Sequence, residues 1–183
     1  IKFWAAMEKI FKLRSWGIVE PGKPRVYCSK TILVERKNKT IWYSITQSAD
    51  IKQWLTDIGV MGMVPVQSPM VNKNELYSNE QQLSPEEASQ VQSRIGAMQY
   101  YAKETRCDIA AAAVNIIAQK MSEPTVGVRK AISRVLAYLV GSVDKALTVP
   151  RVKGNRLDFY VDSDHAGSRK FGDTLSRSGI IFL

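Results

Sequence analysis

Residues that build covalent or metal frameworks are scarce in this sequence. Only two cysteines occur, Cys28 and Cys107, far apart and without Cys-x-x-Cys spacing, which excludes a disulfide scaffold and a zinc ribbon. Free thiols in a reducing compartment are what this usage predicts. The single histidine, His165, rules out a multi-histidine metal site. No apolar run approaches the ~20 residues needed to span a bilayer, so no membrane partner is expected, and no secretory signal is visible. Internal repeats and low-complexity tracts are also missing. Carboxylates are in deficit, with 17 Asp and Glu against 26 Lys and Arg, leaving a formal charge of +9. That excess makes a polyanion the expected partner.

What remains is ordinary for a folded protein. Hydrophobic residues make up 45% and charged residues 23% of 183 positions, enough for one good core or two small pieces that lean on each other. The chain opens on Ile1 and closes on Phe182-Leu183 within a strand-like run, which predicts a longer parent polypeptide.

Apolar spacing predicts a helix over Phe3–Leu13, ended before Gly17 and the Pro21-Gly22 turn. Val26–Val34 and Ile41–Thr46, flanking Lys37-Asn38-Lys39, read as a β-hairpin. Ser48 reads as the N-cap of a short helix that buries Ile51, Trp54, Leu55 and Ile58 and closes at Gly59. Met61–Leu83 is long and polar, and is expected to be an unstructured connection marking a boundary. Ser84-Pro85-Glu86-Glu87 forms a capping box with proline at the first helical position. The helix it starts should reach about Ala102 and bury Val91, Ile95, Met98 and Tyr101. An alanine-rich helix over Ile109–Met121 and a third helix, from Pro124 to Gly141 with Ile132, Val135, Leu136 and Leu139 inward, should pack on it. Arg129, Lys130 and Arg134 fall on the other side of that third helix and are candidates for phosphate contact, with Lys37, Lys39 and the hairpin next. Ala146–Val149 and Leu157–Val161 are expected strands turning at Gly154-Asn155, with Ser178–Leu183 a further strand.

The most pointed stretch is Leu157–Gly167, Leu-Asp-Phe-Tyr-Val-Asp-Ser-Asp-His-Ala-Gly. Period-two alternation sets Leu157, Phe159 and Val161 on one face and Asp158, Tyr160 and Asp162 on the other. A carboxylate on a rigid strand, followed by Asp164 two positions on, suits a hard divalent cation. Two solvated aspartates opening a turn would give the same pattern.

Several stretches together resemble copia-type retrotransposon polyproteins, over roughly Tyr27 to Leu183 and in the family's order. Ser93–Tyr100, Thr105-Arg106-Cys107-Asp108-Ile109-Ala110 and Ala131–Leu139 with Gly141 are similar to the region after the reverse transcriptase palm. Tyr160-Val161-Asp162-Ser163-Asp164-His165-Ala166-Gly167, with Ser176-Arg177-Ser178-Gly179, resembles the first two strands of the ribonuclease H domain. Cys107 stands where the family has proline and His165 where it has tryptophan. The family's polymerase motif, Tyr-x-Asp-Asp, does not occur in Ile1–Arg25.

The resemblance implies an α+β fold: a β-hairpin with flanking helices, a three-helix connection region, and the first antiparallel strands of a ribonuclease H-like sheet. It implies a reverse transcriptase part over 1–83, a helical connection over 84–145 and an incomplete ribonuclease H-like part over 146–183. Asp162 would be the first catalytic carboxylate, bridging two Mg²⁺ ions, and Asp164 a second, less central metal ligand. An RNA–DNA hybrid or DNA/RNA duplex and the rest of the Pol polyprotein are the expected partners. The setting would be intracellular, in cytoplasmic virus-like particles or the nucleus. Since a Mg²⁺ pair needs about four acidic side chains, this chain is expected to hold neither active site whole. Two other readings stay open: a non-catalytic nucleic-acid-binding remnant, and a haloacid-dehalogenase-like phosphatase fragment with Asp162 as nucleophile.

Overall fold

The computed structural model describes residues 2–11, 17, 19–78, 81–151, 159–164 and 177–182. They form an α+β arrangement of one four-stranded antiparallel sheet, a helical core and a separate two-stranded hairpin. Helix α1 (Lys2–Ile10) leads, through residues closed by the Gly22 turn at φ +76°, into β1 (Arg25–Tyr27), β2 (Lys30–Lys37) and β3 (Thr40–Thr46).

The single strand expected over Val26–Val34 is two strands. Cys28 and Ser29 both hold left-handed backbone, at φ +47° and +61°, and fold β1 back onto β2 with Tyr27 opposite Lys30. Asn38 and Lys39 do the same at φ +50° and +66° between β2 and β3. Paired left-handed residues match the right-handed twist of the strands they join. Asparagine advertises the second turn; Cys-Ser carries no such signal for the first.

Strand β4 (Leu147–Pro150) corrects a second expectation. It pairs with β3, Tyr43 opposite Val149 and Ile45 opposite Leu147, rather than with the aspartate-bearing strand. Ser44 and Thr148 hydroxyls meet across the pair at 3.2 Å. The aspartate-bearing strand, β5 (Phe159–Asp164), pairs with β6 (Arg177–Phe182). Leu157, Asp158, the Gly154-Asn155 turn and His165 lie outside the described residues.

Helix α2 (Ser48–Asp57) starts one residue away from its expected cap. Ser48 is already helical, Gln47 is the N-cap, and the Thr46 hydroxyl accepts from the Ser48 amide at 3.1 Å. Ile51 and Leu55 are fully buried, Trp54 packs at 5.4 Å from Tyr101, and Gly59 turns the chain at φ +71°. The stretch expected to be a bare connection carries α3 (Lys73–Ser78), whose Leu76 joins the core. Helix α4 (Pro85–Glu104) has the capping box as read, and buries Val91, Ile95, Met98 and Tyr101. The alanine-rich segment runs as α5 (Cys107–Ile109), a π-helical turn over Ala110–Val114 and α6 (Asn115–Ala118). Helix α7 (Val126–Val140), capped by the Thr125 side chain and ended by Gly141, lays Ile132, Val135, Leu136 and Leu139 into the same core. Residues from α2, α3, α4 and α7 thus share one hydrophobic cluster, and burial of such side chains, at about 1.5–3 kcal/mol each, is what binds these helices together.

Gly127 sets how closely α3 and α7 approach. A Cβ there would sit 2.9 Å from the carbonyl oxygens of both Glu75 and Leu76. Those oxygens are backbone and cannot swing aside. Gly127→Ala is therefore expected to destabilise by about 1–3 kcal/mol from overpacking, although alanine is the better helix former by about 1 kcal/mol. Urea unfolding of the variant checks this; a stabilised Gly127→Ala would mean that α3 is free to shift.

Candidate nucleic-acid interface

The three basic residues of α7 differ in their partners. Arg129 is half-exposed and its guanidinium is ion-paired with Glu87 of α4. The other Glu87 oxygen accepts from the Ser84 amide, closing the capping box, so Arg129 is tied to the start of α4. Lys130 and Arg134, one helical turn apart, are exposed, and among the described residues neither is ion-paired. They flank a groove of about 330 Å³ between α3 and α7, floored by Leu76, Gly127 and Ala131. Glu75 also lines it and offsets part of the charge. Residues four apart on a helix present their side chains together, so this groove offers two neighbouring cations to an anion.

A second polar cluster fixes the end of α7. Arg106 is 1% exposed and holds Asp108 in a bidentate pair, Nε to Oδ1 and Nη2 to Oδ2, both at 2.9 Å. Its remaining donors reach the Ser142 carbonyl at 3.1 Å and hydroxyl at 2.8 Å. The Tyr138 hydroxyl donates to Asp108 at 2.6 Å and accepts from Lys145 at 2.7 Å. Burial pushes the Asp108 carboxyl up, but hydrogen bonds from Arg106 and Tyr138 and the charges of Arg106 and Lys145 outweigh it and hold it below its ordinary value. Arg106 and Asp108 belong to the Thr-Arg-Cys-Asp stretch singled out in the sequence, but their partners on α7 and beyond were not legible there. This cluster is structural: it ties α5 to the α7 terminus that leads into β4.

Asp162 lies opposite Gly179, and Asp164 opposite Arg177, in the β5–β6 hairpin. Among the described residues, no three His, Cys, Asp or Glu side chains are grouped to hold a metal ion. Two aspartates on one strand fall short of the roughly four carboxylates that a Mg²⁺ pair takes. Asp173 and His165 lie outside the described residues. Among the described residues, no helix is long and apolar enough to cross a membrane.

The chain is 32% identical over 123 residues to an uncharacterized mitochondrial protein of Arabidopsis thaliana, covering 67% of this chain and 50% of that protein. It is 32% identical over 152 residues to the retrovirus-related Pol polyprotein from transposon RE1 of the same plant, covering 81% of this chain and 10% of the polyprotein. The chain thus spans half the length of the first relative and a tenth of the second. No family model matches it, and no solved structure does.

Proposed function

We propose that this chain, a relative of retrotransposon Pol polyproteins, is the part of a copia-type polyprotein that follows the polymerase palm and grips an RNA–DNA hybrid or DNA/RNA duplex by its phosphates. The observation that carries this reading is the pair Lys130 and Arg134, exposed, unpaired among the described residues and flanking one groove in a protein of charge +9. Contacts of this kind position a duplex without reading bases, and the deep, narrow major groove of an A-like hybrid resists side-chain readout. Binding is then electrostatic and indifferent to sequence.

The β5–β6 hairpin is the opening of a ribonuclease H-like sheet, in which Asp162 would be the first carboxylate to hold Mg²⁺, with Asp164 beside it. Mg²⁺ would supply the polarisation and the activated water of phosphodiester hydrolysis, with its other ligands drawn from the rest of the polyprotein. The pairing of β4 with β3 supports drawing the boundary of the ribonuclease H-like part after Arg151 rather than at 146. Helices over 84–145 form the connection, and the whole works inside the cell, in virus-like particles or the nucleus.

Salt titration of hybrid binding, read by fluorescence anisotropy, tests the grip. Each phosphate contact contributes a slope of roughly 0.7–0.9 in log affinity against log salt. Lys130→Gln with Arg134→Gln should lower the slope by about two units at most, and adding Arg129→Gln should change it little, because Glu87 already neutralises that group. An unchanged slope in the double variant would move the binding face off α7.

A further inference from the structure

The sheet carries a second concentration of positive charge, at the end farthest from the Cys28-Ser29 turn. Arg36 lies directly opposite Ile41 in the β2–β3 register. On the other side of β3, Trp42 is opposite Pro150, and the Arg151 amide donates to the Ile41 carbonyl at 2.7 Å. The β3–β4 register therefore continues one step, with Arg151 opposite Ile41. Residues directly opposite share a face, so Arg36, Ile41 and Arg151 form one row across three strands, the two arginines anchored about 10 Å apart. Lys39 closes the end of the row at the second position of the turn. Lys39, Thr40, Ile41 and Arg151 line a hollow of about 590 Å³.

Charge balance singles this row out. The nearest carboxylate in sequence, Glu35, alternates to the opposite face, where it pairs with Lys37 at 2.6 Å. Arg36, Lys39 and Arg151 are exposed, and none of them is ion-paired among the described residues. Lys39 and Arg151 line the polar hollow, Arg36 stands in the same row opposite Ile41, and no acid is found among the described residues that line it. Guanidinium forks match phosphate oxygens in pairs, and long side chains based about 10 Å apart on a rigid sheet suit phosphates along a strand better than a single compact anion.

We infer that Arg36, Lys39 and Arg151 form a second phosphate-contact site for the polynucleotide backbone, on the sheet and separate from the α7 groove. The inference rests on the reading of this chain as a duplex-binding segment and adds to it: the duplex is held at two places on different elements.

The test is a salt titration of binding to a short RNA–DNA hybrid, using the full chain and four variants with matched circular dichroism and melting. Arg36→Gln/Lys39→Gln/Arg151→Gln should lower the slope by roughly two to three units. A control of equal charge change, Lys9→Gln/Lys52→Gln/Lys103→Gln, should lower it by less than one. Combining the sheet and α7 variants should add their effects. A sheet variant that keeps the full slope while Lys130→Gln/Arg134→Gln loses its share overturns this inference alone. An equal loss in the control also overturns it, since net charge would then suffice. Absence of hybrid binding by the unmodified chain overturns the duplex reading itself, and binding only to anionic vesicles would overturn both.

Discussion

Asp108→Ala is expected to lower folding stability by about 3–5 kcal/mol, because it strands the Arg106 guanidinium, 1% exposed, without its carboxylate. In a protein of this size that corresponds to a fall of roughly 10 °C in Tm. Arg106→Met should cost less, about 1–3 kcal/mol, since Asp108 keeps 31% side-chain exposure and the Tyr138 and Lys145 donors. The asymmetry is the informative part: removing the acid leaves a buried charge, and removing the base leaves a solvated one. pH adds an independent check. The folded-state carboxyl of Asp108 lies below its ordinary value of 3.8, so its contribution is present in full above about pH 4 and is lost as pH falls through the folded value. In Asp108→Ala that part of the acid-side loss should vanish. Chemical unfolding of both variants between neutral and acid pH decides the matter. Equal, additive costs would show that the cluster does not act as a unit.

That network also marks where sequence reading ran out. The Ser84–Glu87 box announces α4 because capping is local chemistry written within four residues, and α4 and α7 reveal their buried faces through helical spacing. Arg106 and Asp108 are visible as residues, but their cluster depends on Ser142, Tyr138 and Lys145, 30 or more positions away, and no local pattern encodes that meeting. β4 is the same case in a sheet. Its strand character follows from Leu147 and Val149, but its partner, β3, is about a hundred residues distant, and Leu157–Val161 offered a closer one. α3 is illegible for a different reason: Lys73–Ser78 is six residues with one buried apolar side chain, Leu76, too short to show a period. The basic face of α7 was legible as a charge set, and only the position of Glu87 on another helix separates Arg129 from Lys130 and Arg134. Arg151 gained its place beside Arg36 through the same long-range pairing.

The largest functional effect is expected at Asp162, in a longer Pol polyprotein that contains this segment together with the rest of a ribonuclease H-like sheet. Strand β5 supplies Asp162 from a position hydrogen-bond-paired through its neighbours to β6, opposite Gly179, and a sheet strand is the rigid kind of support that a metal-bridging carboxylate needs. Asp162→Asn keeps shape and removes charge, so the longer protein should fold while cleavage of the RNA strand of an RNA–DNA hybrid, assayed with Mg²⁺, falls to background. Asp164→Asn should cost roughly 10–100-fold, the range seen when a supporting group rather than a bridging ligand is altered. The 183-residue chain alone should leave the hybrid intact, since two aspartates on one strand cannot hold a pair of Mg²⁺ ions that takes about four carboxylates. Full cleavage by Asp162→Asn would show that Asp162 does not carry the metal, and would leave it as an ordinary residue of the β5–β6 pair.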